Sequence, residues 1–479
     1  MKLKTLFLIA AALAAMRPAS AETILNVRNY GAAGDGRTID SPVINEIIKA
    51  AAQTQDGVVL FPAGTYNCYS LHLQSNVKIR LEEGAVIRAA HPTEVAGFDA
   101  AEENPSTYQD FGHSHWCNSL IWGIGLQNIT IEGKGLIDGT DVLQRDGSMQ
   151  SHRQANKAIA LKECQNVTFK DITLSQCGHF AMLLTGVDHL VIENVTVDTN
   201  RDGLDIDCCS DVLVSGCHVN SHHDDAIVLK SSYGLGYLKP TENVVIKNCF
   251  VSGYDPGTYL NGTFGTSQDF APDRDGPTGR IKLGTESNGG FYNITIKDCK
   301  FQHCRGLALE SVDGGRMENI FVSGIEMNDI CNSPIYIMVG TRKRGPEGTP
   351  NSTARNIQIS DVKVTDADCR YSSMISGVEG YPIQDVKIEN VSIVYRGGIT
   401  LKDVETQEKA NKFFLRMPGY PEPSAHGIQP AWGFCIYNAE NVTFKNVSMV
   451  LMQRDERPIM HTENVHKVKT RRVRSSILK

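Results

Sequence analysis

Aspartates are concentrated in two neighbouring stretches of this chain, at residues 200–207 and 222–231. Asp202 and Asp224 are 22 residues apart, and Asp225 follows directly. Three carboxylates crowded on one surface repel one another, so one of them is expected to keep its proton near neutral pH. A protonated carboxyl beside an ionised one is the acid and base pair that hydrolysis of a glycosidic bond requires. The alternatives are aspartates that cap turns, or a calcium site.

A repeat in the sequence indicates how these aspartates are positioned. Its phrase is Asn, Asp or once His, followed by alternating β-forming and polar residues. It begins at positions 128, 166, 189, 211, 243, 293, 319, 356, 385 and 441. Short strands at a period near 22 residues, without helices between them, predict the coils of a solenoid. We therefore expect an all-β fold, a single-stranded right-handed parallel β-helix, with Asp202 and Asp224 on coils about 4.8 Å apart.

Both ends of the chain carry their own signals. Lys2 and Lys4 precede an apolar run and a small-residue cleavage site, so residues 1–21 are expected to be a secretory signal peptide. The apolar run is too short to insert across a membrane. Residues 39–54 predict an amphipathic helix, N-capped by Asp40 or Ser41, that covers the first coil. Residues 467–479 carry many like charges and predict a frayed tail. The mature protein is then one catalytic domain, 22–479, secreted or periplasmic.

Composition narrows the classes of partner and cofactor. The net charge of −7 argues against a nucleic-acid-binding protein. The thirteen cysteines are an odd number without paired zinc-type spacing, so we expect mostly buried free thiols. No cofactor, no structural metal and no membrane insertion are expected, and the protein is expected to be a monomer.

Several of these motifs resemble a known family. Residues 27–40, VRNYGAAGDGRTID, and residues 61–66, FPAGTY, look like the opening of pectin-lyase-like β-helix enzymes. Residues 200–203, NRDG, and the pair Asp224–Asp225 resemble glycoside hydrolase family 28, the polygalacturonases and rhamnogalacturonan hydrolases. The resemblance covers nearly all of the mature chain. It implies a hydrolase that cleaves galacturonate-containing pectic poly- or oligosaccharide with inversion. Asp224 would be the general acid, while Asp202 and Asp225 would hold and activate the water.

The chain departs from the family pattern after the aspartates. Polygalacturonases carry Gly-His-Gly on the next coil, whereas residues 276–286 read GPTGRIKLGTE after an insertion at 254–275. Arg280 and Lys282 stand one coil earlier than the Arg-Ile-Lys with which the family holds a galacturonate carboxylate. This pair either meets a substrate carboxylate from another direction or forms ion pairs with Glu286 or Glu310. The displacement favours rhamnogalacturonan or branched pectin over plain homogalacturonan.

Other residues are further candidates for substrate binding. The loop with His113, His115 and Trp116 offers rings that would stack on a sugar, unless the loop is simply packed. His179 precedes Asp202 by 23 residues, hence by about one coil, and is either a sugar ligand or a core histidine. Lys230 binds substrate or shifts the pKa of an aspartate. Residues 345–350 and 413–430 are expected to build walls of a groove.

Two other functions remain open from the sequence. A polysaccharide lyase on the same fold would need calcium and a basic residue that abstracts a proton, for which Arg280 or Lys282 are candidates. A non-catalytic β-helix, such as an adhesin or a carbohydrate-binding protein, would show no turnover.

Overall fold

A computed structural model describes residues 22–106, 108–146, 153–267, 276–408 and 421–478. The expected signal peptide lies outside the described residues. Each coil of the chain adds one parallel strand to each of three sheets, here called A, B and C, and the fold is the predicted right-handed parallel β-helix. No described helix is both long and apolar enough to cross a membrane.

The strands are numbered in chain order and grouped by sheet. Sheet A begins with β1 (Thr23–Asn26), β3 (Gly57–Phe61), β6 (Val77–Leu81), β9 (Gln127–Gly133), β12 (Gln165–Lys170), β15 (Asp188–Glu193), β18 (Ser210–Ser215), β21 (Thr241–Lys247) and β24 (Phe291–Lys297). Sheet B begins with β2 (Asp35–Ile39), β4 (Gly64–Cys68), β7 (Ala85–Ala89), β10 (Leu136–Asp138), β13 (Thr173–Ser175), β16 (Thr196–Thr199), β19 (His218–Ser221), β22 (Phe250–Ser252) and β25 (Lys300–Cys304).

Sheet C, which carries the aspartates, is the third. It comprises β5 (Leu71–His72), β8 (Ile121–Ile124), β11 (Lys157–Lys162), β14 (Phe180–Thr185), β17 (Asp202–Asp207), β20 (Ile227–Ser231), β23 (Ile281–Ser287), β26 (Leu307–Ser311), β28 (Ile335–Val339) and β30 (Ser373–Ser376). Long bent strands then serve sheets A and B together: β27 (Arg316–Ile330), β29 (Thr353–Ala367) and β31 (Ile383–Tyr395). The last two, β32 (Phe434–Leu451) and β33 (Met460–Ile477), run through all three sheets.

Apolar side chains fill the interior of the coils, and those at equivalent positions of successive coils stack in columns. In β12, Val167 and Phe169 are buried while Thr168 and Lys170 are not, which is the alternation of a strand with one face on the core. Val167 pairs with Ile129 on one side and Leu190 on the other, so like side chains stack from coil to coil. Full burial of one such aliphatic side chain stabilises the fold by about 1.5–3 kcal/mol.

The asparagine that opens each repeat lies at a position with left-handed backbone. Asn293 has φ 57° and Asn319 has φ 61°, a region that asparagine tolerates better than most residues. The Nδ2 of Asn319 donates to the Oδ1 of Asn293 at 3.0 Å, and Asn293 donates in the same way to Asn243 at 3.1 Å. Backbone conformation and this side-chain ladder together account for the repeat's most regular residue.

The helices lie outside the coils, and the first of them covers the N-terminal coil. Helix α1 (Ser41–Ala51) lies within the range expected for the cap and buries Ile44, Ile47 and Ile48. Asp40 is the N-cap residue, as expected, but its side chain does not cap the helix, because its carboxylate accepts hydrogen bonds from the N–H groups of Ala33 and Gly34 at 2.7 and 3.0 Å. The other helical segments are α2 (Leu401–Glu408) and short 3₁₀ turns at Val27–Tyr30, Gly112–Ser114 and Pro423–His426.

The C-terminal segment differs from the frayed tail that its charges predicted. Strand β33 pairs with β32 along its whole length, and Val465, Val468 and Val473 pack against the core. The basic residues between these valines remain in solvent, so like charges did not prevent pairing. The cysteines pack as small hydrophobes: eleven of the thirteen are buried, and the structure joins no two of them in a disulfide.

Candidate active site

The three aspartates meet where the chain turns from sheet B into sheet C. Asp202 begins β17, and Asp224 and Asp225 precede β20 on the next coil. Because the N–H of Gly203 donates to the carbonyl of Asp225 at 3.0 Å, the neighbour of Asp202 across the coils is Asp225 rather than Asp224. One carboxylate oxygen from each aspartate lies within 4.8 Å of the others. This is the one such group of three acidic, histidine or cysteine side chains among the described residues.

These carboxylates line a cavity of about 180 Å³ that is rich in charge. Its lining residues are Asp110, His179, Phe180, Arg201, Asp202, Asp224, Asp225, Lys230, Lys282, Thr285, Glu286, Arg342 and Arg344. Larger grooves of about 550 and 500 Å³ lie elsewhere on the described surface, but neither contains three carboxylates. The cavity is therefore selected by its chemistry and not by its size.

Asp202 is the carboxyl group that holds a proton. Burial and the negative charge of Asp224 raise its pKa well above the usual range, and the Lys230 ammonium, 3.3 Å from Oδ2, only partly offsets them. Burial lowers the pKa of Lys230, but Asp202 and Asp205 outweigh it and hold that pKa well above the usual value. Lys230 is thus a fixed cation between these two aspartates, only 2.6 Å from the Oδ2 of Asp205.

Asp224 has the opposite electrostatics and is ionised. Burial raises its pKa, but the Arg201 guanidinium, with Nη2 2.7 Å from Oδ2, and the Lys230 ammonium hold it far below the usual value. Its side chain is 26 % exposed, more than those of Asp202 and Asp225. A neutral carboxyl and an accessible carboxylate therefore stand side by side, which is the split that the sequence predicted for the cluster as a whole.

Asp225 is held from behind by the displaced basic pair. The Nε of Arg280 donates to its Oδ1 at 2.9 Å, and the Nζ of Lys282 lies 3.3 Å from its Oδ2. Lys282 is also 3.5 Å from Glu310, so of the two alternatives for this pair the structure has ion pairs, with Glu310 and not with Glu286. Burial raises the pKa of Glu310 to about 7.

Glu422 completes this inner ion cluster, and sequence reasoning missed it. Its carboxylate bonds to the guanidinium of Arg280 and lies 3.2 Å from Nη1 of Arg305. It belongs to the long segment before β32, 142 residues from Arg280, of which 409–420 lies outside the described residues. No local motif connects residues so far apart, although the expected wall at 413–430 was the right region to search.

Glu286 is engaged on the other side of the cavity. Arg342 and Arg344, from the loop after β28, lie 3.2 and 3.1 Å from its Oε1, and Lys230 lies 3.8 Å from its Oε2. Burial raises the pKa of Glu286, but these cations outweigh it and hold the pKa well below the usual range. The two arginines were also missed, although the Arg342-Lys-Arg344 triplet in an insertion was a visible signal.

The rings of the predicted aromatic loop do not line the cavity, although Asp110 of the same loop does. Trp116 is fully buried and donates its indole N–H to Thr185 at 3.1 Å, so the expectation that it stacks on a sugar is contradicted. His115 stacks on Phe111 at 4.0 Å. His113 is buried beside Asp205 and Asp207 of β17. An indole ring loses more water-exposed apolar area inside the protein than on a loop surface, which explains the packing.

Among the histidines that the structure describes, His179 alone lines the cavity, as its spacing suggested. Its Nδ1 is 2.9 Å from the carbonyl of Arg145, which places the proton on Nδ1, and its Nε2 is 3.7 Å from Asp110. Burial and the charge of Arg201 lower its pKa to about 4. A neutral imidazole of this kind accepts a hydrogen bond at Nε2 and suits a sugar hydroxyl.

A metal ion is poorly matched to this group of aspartates. Carboxylate oxygens are the ligands that hard cations prefer. Here, however, Arg201, Lys230, Arg280 and Lys282 already contact the three carboxylates at 2.7–3.3 Å. A divalent ion would face these four positive charges at close range, so the calcium alternative is not favoured.

His113 is expected to make folding stability fall at alkaline pH. Burial and Lys230 oppose its protonation, but Asp205 and Asp207, at 3.7 and 3.6 Å, raise its pKa to about 9 from an ordinary 6.5. A raised folded-state pKa contributes stability that is complete below pH 6.5 and is lost as the pH rises through about 9. Urea unfolding of wild type and His113→Gln between pH 6 and 10 measures this, and an equal slope in both proteins would refute it.

Comparison with known proteins finds a family profile that matches part of the chain and relatives that match most of it. The sequence profile for "Rhamnogalacturonase A/epimerase, pectate lyase-like" matches residues 24–255. A probable polygalacturonase of Vitis vinifera is 23 % identical over 388 residues, covering 76 % of this chain and 73 % of that protein. The structure of a family 28 exopolygalacturonase from Yersinia enterocolitica is similar with a TM-score of 0.66 and 16 % identity, covering 94 % of this chain and 78 % of the other.

The same fold also occurs in a binding protein. The surface adhesin PfbA of Streptococcus pneumoniae is similar with a TM-score of 0.52 and 16 % identity, covering 95 % of this chain and 92 % of the adhesin. At such identities the solved structures establish the fold alone. The profile match and the polygalacturonase relatives support a pectin-lyase-like, glycoside hydrolase family 28-like grouping for this β-helix protein.

Proposed function

We propose that this protein is a glycoside hydrolase that cleaves galacturonate-containing pectic polysaccharide at Asp202, Asp224 and Asp225. The observation that carries the proposal is the three carboxylates within 4.8 Å in one cavity, where the surroundings raise the pKa of Asp202 and lower that of Asp224. Acid and base catalysis by two carboxyls needs this difference in protonation. The polygalacturonase names of the relatives support the substrate class.

The division of labour among the aspartates is part of the proposal. The family pattern makes Asp224 the general acid, yet in the free protein the proton belongs to Asp202 and Arg201 keeps Asp224 ionised. Oxygens within 4.8 Å are close enough for one water to bridge two of the carboxyls and carry the proton between them. We propose that a substrate that draws Arg201 away from Asp224 lets Asp224 receive this proton, while Asp225 holds the attacking water.

The substrate is proposed to be an acidic but mixed or branched pectin. The cationic side chains of Arg201, Lys230, Lys282, Arg342 and Arg344 that line the cavity suit an anionic sugar. The buried position of Arg280 removes it from the role that polygalacturonases give to the equivalent arginine, which supports rhamnogalacturonan or a branched chain over plain homogalacturonan. Export through the signal-like residues 1–21 and action as one monomeric domain belong to the same proposal.

Digestion of a pectin panel tests this function. The panel contains homogalacturonan, both rhamnogalacturonans and xylogalacturonan, and the assay follows reducing ends together with ultraviolet absorbance. New reducing ends without absorbance are expected, and proton NMR of the first product is expected to show inversion. A lyase would instead give an absorbing, unsaturated product. The buried Arg280, tied to Asp225 and Glu422, is poorly placed to be the base of a lyase.

A binding protein without turnover is the remaining outcome of that test. The structural similarity to an adhesin is the reason to test this alternative. Binding of the panel polysaccharides without any new reducing ends, by correctly folded protein, would overturn the hydrolase proposal and support the adhesin-like function.

A further inference from the structure

Arg280 has the residue type that the family uses to hold a substrate carboxylate, but its guanidinium is occupied inside the protein. Its Nε donates to Asp225 at 2.9 Å, and both terminal nitrogens bond to Glu422. The side chain is only 2 % exposed. Arg280 therefore supports Asp225 from behind and does not reach a sugar in the cavity, so a carboxylate receptor must be sought elsewhere.

The opposite wall of the cavity presents another arginine. Arg344 follows β28, lines the cavity, and is 37 % exposed. It is the most exposed of the lining cations, which are Arg201, Lys230, Lys282, Arg342 and Arg344. Its Nη1 lies 3.1 Å from Oε1 of Glu286. An arginine that is more than a third exposed and already pairs with a carboxylate through Nη1 has the geometry to exchange that carboxylate for one on a substrate.

The backbone that carries Arg344 is fixed on both sides. Its N–H donates to the Oδ1 of Asp313 at 2.9 Å, and its carbonyl accepts from the Nδ2 of Asn288 at 2.8 Å. Asp313 is buried and also binds Arg342 through Nε at 2.9 Å. A guanidinium held in place before binding loses less conformational entropy when the ligand arrives.

Arg344 is also linked to the catalytic group through two further contacts. Glu286 lies 3.8 Å from Lys230 through Oε2, and Lys230 lies 3.3 Å from Asp202. Arg344 thus lines the same cavity as the aspartates, with only Glu286 and Lys230 between them.

We propose that Arg344 is the specificity-determining residue that binds the carboxylate of a uronate sugar. The substrate carboxylate takes the place of Glu286 at the Arg344 fork, while Arg342 and Lys230 continue to neutralise Glu286. This inference rests on the proposed hydrolase function and deepens it, because it names the residue that selects an acidic sugar over its ester. It moves the receptor from the coil of Arg280 to the loop between β28 and β29.

The test compares acidic and methyl-esterified forms of the pectic oligosaccharide that wild type cleaves. Arg344→Gln is expected to lose 10- to 100-fold in kcat/KM on the acidic form, mainly through KM, and to be unchanged on the ester. Arg344→Lys keeps the charge without the fork and should recover part of the loss. The matched control is Arg316→Gln, because Arg316 is 65 % exposed, lies 3.9 Å from Glu318 and does not line the cavity.

Equal losses of kcat/KM on the acidic and esterified forms would overturn the proposal, because Arg344 would then only support its loop. An unchanged kcat/KM on the acidic form would overturn it too. Calorimetric binding of an oligogalacturonide to Asp202→Asn protein separates this result from the hydrolase function. Binding that disappears with Arg344→Gln, in a protein whose wild type cleaves nothing, would uphold the carboxylate site and overturn the hydrolase. Binding that is unaffected by Arg344→Gln would overturn the carboxylate site, whatever the wild type cleaves.

Discussion

Asp202→Asn and Asp224→Asn are each expected to lower kcat/KM on pectic oligosaccharide by about 10²- to 10⁴-fold, the usual contribution of a positioned acid or base. An asparagine has the shape of aspartate but neither accepts nor releases a proton, so the loss reports the protonation role. The matched control is Asp211→Asn, because Asp211 is exposed and occupies a repeat position where asparagine is the common residue. Reducing-end kinetics and a thermal unfolding curve on each variant make the comparison.

A change of leaving group in the substrate then shows whether the general acid is the same residue as the one that holds the proton in the free protein. A substrate with an activated aryl leaving group needs little protonation, so the variant that lacks the general acid should retain most of its activity on it. Retention in Asp224→Asn alone would support the family-derived role of Asp224. Retention in Asp202→Asn alone would make Asp202 the acid. Losses below tenfold in both variants, with all proteins folded, would remove the aspartates from the mechanism.

Arg280→Gln is expected to lower the free energy of unfolding by about 3–5 kcal/mol, the usual effect of leaving buried charges without their partner. The guanidinium lies between the buried carboxylates of Asp225, Glu310 and Glu422, at 2.9 Å from the first and 3.9 Å from the second. Burial lowers the pKa of Arg280, but these three carboxylates outweigh it and hold that pKa well above the usual value. Removing the cation leaves negative charges facing one another at low dielectric.

A double-mutant cycle tests the same ion cluster. Arg280→Gln with Glu422→Gln should cost less than the sum of the single substitutions, because each single variant leaves the other charge unpaired. The surface control is Arg355→Gln, because Arg355 is 59 % exposed, lies 2.8 Å from Glu318, and its loss should change the free energy of unfolding little. Urea unfolding measures the free energy of unfolding of the wild type, the two single variants, the double variant and Arg355→Gln. A loss in Arg280→Gln no larger than in Arg355→Gln would show that the cluster is not a stabilising element.

The repeat was sufficient to predict the fold because the sequence pattern of each coil is local to that coil. Alternating burial along β12 and left-handed asparagines at the start of the repeat are properties of a few consecutive residues. The same regularity placed Asp202 near Asp224 and Asp225, since residues about one period apart come together in any solenoid. A shift of one residue in the coil length still put Asp225, rather than Asp224, opposite Asp202.

Predictions made from residue type alone were wrong where a side chain or segment could be either exposed or packed against the core. Trp116 has the ring of a sugar platform, but it fills an apolar cluster with Phe180 and Leu183 instead. The basic segment of β33 reads as a solvated tail, but its alternating valines pair it to the last coil. In both cases burial of apolar surface decided the conformation, and the polar or charged groups found places at the edge.

The sequence by itself determined the solenoid, the three aspartates and the expectation that one of them holds a proton. Only the tertiary structure decided which one, because the pKa of each carboxyl depends on its burial and its neighbours: burial and Asp224 raise that of Asp202, while Arg201 and Lys230 outweigh burial and lower that of Asp224. Only the tertiary structure, too, brought Glu422 to Arg280 and Arg344 to the cavity. Those residues stand in loops that interrupt the repeat, and the reach of such a loop follows from its folded path and not from its spacing in the sequence.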